Sequence, residues 1–415
     1  MTNPDEKALL GMAAQHLYPN YRQPAVVFVR GKGCEVWDKS GKRYLDLAAG
    51  VAVSSLGHAH PRYVAAISEQ VGRLVHMSNH FYNEANILLA AELCRRTRMS
   101  RAFFCNSGAE ANEALLKLAR HHFYLKGQKD RYRVLAFEEA FHGRTLGALS
   151  LTGRAKYREG FGPYEGGVTH LPYGDLAAVE RAMGADVAAI MVEPIQGEGG
   201  VLPAPPGFLA GLRRITEQAG ALLLLDEVQT GIGRTGTFLA CEGQGVLPDA
   251  IALAKGLGGG VPIGAMLCRE ELSGALPAGS HGSTFGGNAL AATAALTVLS
   301  VLDEEKLMEG AKKKGEHLAQ GLSALCARHA DSVGPERGMG LLRAVPLKAG
   351  FEPRAVLASV RERGVLLITA GDSAIRFCPP LTVTEAELDE GVRAFDDALT
   401  AVRRAKNAEP ARAAP

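Results

Sequence analysis

The chain has 415 residues, 47% of them hydrophobic and 22% charged, with a formal net charge of +2. That length suffices for a large domain and a smaller one, each with its own core. The near balance of charge gives no reason to expect nucleic acid or an anionic membrane as partner, and no stretch approaches the ~20 apolar residues of a membrane span.

The opening "MTNPDEKALL" carries acids and lacks an apolar core, so it does not read as a secretory signal. The cysteines (Cys34, Cys94, Cys105, Cys241, Cys268, Cys326, Cys378) are scattered, with no C-x-x-C and no His/Cys zinc spacing. This odd, dispersed set fits a reducing cytoplasm and no bound metal. Residues 1–60 contain Gly-rich turns and read as an N-terminal arm and part of a small domain. From about 100 to 300, short apolar runs alternate with helical patterns. "RAFFC" precedes "AEANEALLKLARHHF"; "RVLAF", "VAAIMVEP", "ALLLLDE", "DAIALAK" and "IGAMLC" follow, with "PGFLAGLRRITEQAG" among them. This alternation predicts an α/β fold: a large three-layer α/β/α domain over 61–302 with a mostly parallel sheet. "DEEKLMEGAKKKGEHLAQGLSALCARH" predicts one long amphipathic helix opening an α+β portion over 303–415, and the polar tail 403–415 is expected to fray.

Chemistry in such domains collects just beyond the strand C-termini. The first candidate in chain order is "FFCNSGAEANEALLKLAR", where a strand turns into a helix at Ser107, Gly108 and Ala109. Free N–H groups and the helix dipole suit a phosphate there, although Ser107 could equally be a plain N-cap. "AFHGRT" then puts the aromatic Phe141 beyond "RVLAF", where it could cover a flat ring. "ALLLLDEVQTGIGRTG" ends a buried-strand pattern on Asp226, a costly position for a carboxylate without a cationic partner. The same stretch holds a literal G-x-G-x-x-G (Gly231, Gly233, Gly236). A dinucleotide turn would open a helix directly after its strand, and "TGTFLACEGQG" is too glycine-broken for that; Asp249, near the spacing of a ribose-binding acid, begins an apolar run instead of ending one. "DAIALAKGLGGG" places Lys255 at the end of the next apolar run. Its glycines follow the lysine, whereas a P-loop needs them before it. A lysine in apolar surroundings favours its nucleophilic neutral amine. Asp226 and Lys255 alone could be a structural ion pair; with the phosphate cradle and the aromatic they match what pyridoxal phosphate requires.

These stretches, together with "VEPIQGEGG" and "GSTFGGN", resemble the class III (ornithine/4-aminobutyrate-type) aminotransferases of fold type I. The likeness runs from "VFVRGKGCEVWDKSGKRYLDLAAGVAVSSLGHAHP" to "AIRFCPPL", and "FHGRTLGALSLTG", "RGMGLL" and "LITAGDSAIRFCPPL" are most similar to the bacterial acetylornithine branch. The resemblance implies a small domain built from the N- and C-terminal segments together. It implies that Lys255 carries pyridoxal 5'-phosphate and shuttles a proton, and that Asp226 pairs with its ring nitrogen. Gln229 would reach the ring hydroxyl, Val228 would pack opposite Phe141, and His142 would belong to the same cofactor site. Ser107, Gly108 and Ala109 would hold the phosphate. Thr284, with Ser283 beside it, would come from the other subunit of a homodimer, although "HGSTFGGN" by itself reads as a turn.

A transaminase must accept two carboxylate-bearing substrates, and Arg is the bidentate partner for each. The resemblance assigns Arg144 to the donor's terminal carboxylate and Arg376 to the α-carboxylate of the keto acid. Glu198 would cover Arg376 while the ω-amino donor is bound. Val51 stands where enzymes that take free ornithine have a tyrosine, so an acylated amine suits the site better. The implied reaction transfers the amino group of N2-acetyl-L-ornithine to 2-oxoglutarate. Succinylornithine, 4-aminobutyrate and N-succinyl-diaminopimelate are alternative donors, and a nicotinamide-dependent dehydrogenase is the alternative of a different class.

Overall fold

Seven strands form the central sheet: Arg101–Cys105 (β1), Arg133–Phe137 (β2), Val168–Leu171 (β3), Val187–Val192 (β4), Leu222–Asp226 (β5), Ala250–Leu253 (β6) and Gly264–Cys268 (β7). The computed structural model that defines them describes residues 4–164 and 166–412. The strand order is β1-β7-β6-β5-β4-β2-β3. Only β7 runs antiparallel to its neighbours; the other pairings are parallel. β4, β5 and β6 are buried at every position, as strands covered on both faces must be.

Alternation along β5 shows how the layers form. Leu222 and Leu224 join a cluster with Leu115, Leu118 and Phe123 of the helix Gly108–Leu125 (α1). Leu223 and Leu225 face the opposite side, with Leu209, Leu212 and Ile215 of the helix Phe208–Ala219 (α2). The sheet is therefore the middle layer. Because six strands point the same way, the loops after β1, β2, β4, β5 and β6 meet along one edge.

Two smaller four-stranded sheets accompany it. One joins Phe28–Lys32, Glu35–Asp38 and Arg43–Asp46 to Val365–Leu366 from near the other end of the chain, with Val365 paired to Leu45. The other contains Arg337–Met339, Leu342–Pro346, Ile368–Ala370 and Ala374–Phe377. The last of these strands carries Arg376.

Three features depart from the sequence reading. β3 was not foreseen: it is an edge strand, half-buried at every position, and its Thr169 and His170 dilute the apolar signal. The long helix expected from residue 303 is Leu307–Arg328 (α4); its expected first residues, Asp303 and Glu304, instead end the preceding helix Ala289–Glu304 (α3), with the break at Lys306, φ 51°. The final helix Glu385–Arg412 also takes in most of the tail expected to fray; its alanines and long basic side chains are good helix formers. Residues 413–415 lie outside the described residues.

Gly315, inside α4, shows how tightly the parts pack. A Cβ there would fall well inside van der Waals contact with the backbone of Gly340. Gly→Ala within a helix ordinarily stabilises by about 0.5–1 kcal/mol. Gly315→Ala is expected to destabilise instead, by roughly 1–3 kcal/mol from overpacking, and thermal unfolding of the variant checks the sign.

Candidate active site

The loops at the sheet edge surround a cavity of about 430 Å³, within the usual size for a small-molecule site. Ser107, Gly108, Ala109, Phe141, His142, Arg144, Glu198, Asp226, Val228, Gln229 and Lys255 all line it. Residues spread over about 150 positions thus converge on one place.

Asp226, the last residue of β5, is buried. Its Oδ2 accepts hydrogen bonds from Asn112 Nδ2 (2.7 Å) and His142 Nδ1 (2.8 Å), and its Oδ1 from the Val228 N–H (3.0 Å). Asn112 Nδ2 also donates to the His142 carbonyl (2.7 Å), which ties the loop after β2 to α1. These donors fix the orientation of the carboxylate plane. Burial opposes a charge on His142, yet the bond to Asp226 and that residue's charge hold its pKa above the ordinary value.

Lys255 follows β6 with φ of 45°, a left-handed conformation that few non-glycine residues adopt. Burial depresses its pKa, against the opposing charge of Glu198, so the neutral amine lies closer to physiological pH than in water. α1 starts at Gly108 with Ser107 as its N-cap: the Ser107 Oγ accepts from the Glu110 N–H at 3.2 Å. The N–H groups of Gly108 and Ala109, in the first turn, have no partner within the helix. A Cβ on Gly108 would come within 2.7 Å of Val228 Cγ1, so glycine lets the helix start close against Val228, two residues beyond Asp226.

Arg376 is 2% exposed and is not itself on the cavity wall; it is hydrogen-bonded to Glu198 and Gln229, which are. Its Nη1 donates to Glu198 Oε1 (2.6 Å), Gln229 Oε1 (2.9 Å) and the Gly197 carbonyl (3.3 Å), while its Nε is buried without a partner. Burial would raise the Glu198 pKa, but the charges of Arg376 and Lys255 hold it below the ordinary carboxylate range. Gln229 Nε2 also donates to Glu198 Oε1 (3.4 Å), so Gln229 sits within the arginine network. Arg144 is exposed and makes no ion pair among the described residues.

Three further expected residues are absent from the cavity wall. Val51, with φ of 65°, is absent from the cavity wall, where Val53 stands instead. Ser283 accepts from Asn106 Nδ2 (3.2 Å) and the Gly286 N–H (3.1 Å), and Thr284 is exposed; neither lines the cavity. The G-x-G-x-x-G is a packing device: Gly233 and Gly236 lie against α3 and α4, and a run of turns follows instead of a helix. Asp249 is bound to Arg213 (2.8 Å) and Arg269 (3.2 Å), which accounts for it structurally.

Sequence reasoning missed Asn112 and Glu193. Asn112 stands one helical turn beyond Gly108 on the same face of α1, a spacing that could have revealed it. Glu193 directly follows β4, the position that made Asp226 conspicuous. It accepts from the Phe141 N–H (2.9 Å) and the Gly197 N–H (3.1 Å), tying the loop that carries Arg144 to the loop that carries Glu198.

Burial, aided by the charge of Asp226 and opposed by that of His142, pushes the Glu193 pKa up to about 7. An acid with a raised pKa takes up a proton on folding, so its favourable contribution is complete below the unfolded value of about 4.3 and is lost as pH rises to about 7. Glu193→Gln is neutral throughout. Relative to wild type it should gain on the order of 1–3 kcal/mol between pH 4.5 and 8; urea unfolding of the cofactor-free proteins at both pH values measures this, and a pH-independent difference would rule it out.

The aminotransferase class III family model matches residues 17–399. An acetylornithine aminotransferase of Myxococcus xanthus is 51% identical, covering 92% of this chain and 95% of that protein. Among solved structures, an ornithine aminotransferase from Toxoplasma gondii, described with partial occupancy of PLP at its active site, superposes with a TM-score of 0.93 at 35% identity, covering 97% of this chain and 96% of that one. The N-acetylornithine aminotransferase from Stenotrophomonas maltophilia K279a gives 0.82 at 38% identity, covering 95% of this chain and 100% of that one.

Proposed function

The chain belongs to the aminotransferase class III family, and from that premise we propose that it transfers the δ-amino group of N2-acetyl-L-ornithine to 2-oxoglutarate, giving N-acetyl-L-glutamate 5-semialdehyde and L-glutamate, a step of arginine biosynthesis. The family's cofactor is pyridoxal 5'-phosphate. The residues present fit it: one cavity holds a helix start with free N–H groups, a carboxylate held by several donors, and a half-buried lysine on its wall. Ser107, Gly108 and Ala109 would hold its phosphate, Asp226 its ring nitrogen, Phe141 and Val228 its two faces, and Lys255 its aldehyde carbon. His142 would act behind Asp226, and Gln229 would lie beside the ring. Bound there, the cofactor supplies a carbonyl that takes up the amino group and a ring that stabilises negative charge at the carbon losing its proton.

The side chains do the rest. Lys255, with its depressed pKa, removes the proton from the donor's amine-bearing carbon and returns it on the other side of the exchange. Arg144 binds the donor's carboxylate. The Glu198–Arg376 pair is the observation that carries the two-substrate reading. With Glu198 in place Arg376 is neutralised, and a donor presenting its ω-amine meets no bare cation. When Glu198 swings off, Arg376 offers its fork to the α-carboxylate of 2-oxoglutarate. Val53, the apolar residue that stands on the cavity wall where Val51 was expected, suits an acyl group.

We further infer a homodimer with shared sites. Support comes from Ser283 and Thr284, which lie away from their own chain's cavity on a loop flanked by exposed Val75, Met77, Phe81, Tyr82 and Phe285. A monomer seldom leaves so much apolar surface together. A cytoplasmic location belongs to the same reading. All seven cysteines are free thiols, and no helix among the described residues is long and apolar enough to cross a membrane.

A steady-state comparison of N-acetylornithine, N-succinylornithine, ornithine and 4-aminobutyrate tests the donor; the first should have the highest kcat/KM. Lys255→Ala should reduce turnover at least ~10³-fold, and Asp226→Asn about 10²-fold in kcat. Glu198→Ala should improve glutamate relative to N-acetylornithine in single-turnover half-reactions followed by cofactor absorbance, and Arg376→Ala should hurt the 2-oxoglutarate half-reaction more. Equal losses with both substrates in both variants would reduce the pair to architecture.

A further inference from the structure

Arg144 is the one arginine on the cavity wall without a carboxylate partner among the described residues. An exposed guanidinium on a flexible stem would sample many positions and would lose that freedom on binding. Here it does not project freely: its Cζ lies 4.0 Å from the centroid of the Tyr157 ring and 5.5 Å from that of Phe141. The two rings meet edge to face at 6.0 Å, so they form a corner that brackets the guanidinium.

Tyr157 sits on a single helical turn, Ala155–Arg158, and is not among the residues that line the cavity. It is held from its far side. Arg154 Nη1 donates to the Tyr157 hydroxyl (3.3 Å), and the Arg154 guanidinium carbon lies 5.2 Å from the ring. Arg154 is 3% exposed and is anchored by Glu139 (3.0 Å) and Asp372 (2.7 Å); Asp372 also binds Lys156. Asp372 belongs to the turn leading into the strand that carries Arg376. The order of dependence is therefore Asp372 and Glu139, then Arg154, then Tyr157, then Arg144.

We propose that Tyr157 is a positioning residue for substrate recognition: its ring holds Arg144 by a cation–π contact in the orientation that receives the donor's carboxylate. This rests on the reading that Arg144 binds that carboxylate. The stacked face leaves the in-plane N–H groups free to form a bidentate pair. A fixed guanidinium has less freedom to lose when the donor arrives, so the contact acts on affinity and leaves the chemical step alone.

The test compares N-acetylornithine with N-acetylputrescine, the same donor without its carboxylate, across wild type, Tyr157→Phe, Tyr157→Leu, Tyr157→Met and Arg144→Ala. Arg144→Ala establishes the underlying reading by costing kcat/KM on N-acetylornithine and not on N-acetylputrescine. If it costs both equally, Arg144 does not bind the carboxylate, and the proposal falls with that reading. With the reading secured, Tyr157→Leu and Tyr157→Met, which remove the ring, are expected to raise KM for N-acetylornithine roughly tenfold with kcat nearly unchanged. They should leave N-acetylputrescine within about twofold, and Tyr157→Phe, which keeps the face, should recover most of the affinity. Equal losses on both donors, or a loss confined to kcat, would make Tyr157 merely structural. Wild-type KM in a folded ring-free variant would overturn the proposal while leaving the role of Arg144 intact.

Discussion

A carboxylate at the end of the central, fully buried strand is the constraint on which the site depends. Asp226 has the apolar sheet behind it and a cavity before it. Asn112, His142 and the Val228 N–H bind its oxygens and hold it aimed at that cavity. Such an arrangement leaves a fixed negative charge in a place where water screens it weakly. On the proposed reading a cationic ring nitrogen would answer that charge, with a helix start suited to the cofactor's phosphate and a lysine suited to its aldehyde on either side. The direction of six strands brings these features together at one edge.

A second constraint arises because one cavity must admit two substrates in turn. A permanently bare Arg376 would favour any amino acid's carboxylate, and a permanently covered one would reject the keto acid. The pairing with Glu198 at 2.6 Å, inside a network that includes Gln229, would, on the proposed reading, give the site two electrostatic states without rebuilding it. Arg144 at the opposite wall is held by aromatic faces, which position a guanidinium without neutralising it. The two arginines are thus handled by different chemistry, one gated and one kept available.

Much of this was legible in the sequence because strand ends announce themselves. Charges that terminate apolar runs pointed to Asp226 and Lys255, and the strand-to-helix turn pointed to Ser107 and Gly108. The same rule applied to β4 would have found Glu193, which was passed over beside the more conspicuous "QGEGG". Asn112 was hidden because an asparagine inside an amphipathic helix looks like any polar position until its face is known. Tyr157 was illegible, since its partners Arg144, Arg154 and Phe141 come together only through tertiary packing. In the fold, β3 escaped notice because an edge strand needs no continuous apolar run, and the break at Lys306 carries no glycine or proline to mark it.

On the proposed reading one lysine, Lys255, meets the cofactor in the cleft that Asp226 defines. Borohydride reduction of the protein loaded with pyridoxal 5'-phosphate, followed by peptide mapping by mass spectrometry, addresses it directly. The account predicts a phosphopyridoxyl adduct on the peptide containing Lys255 and on no other lysine at stoichiometric labelling. An adduct at a different lysine, or a protein that takes up none, would contradict it.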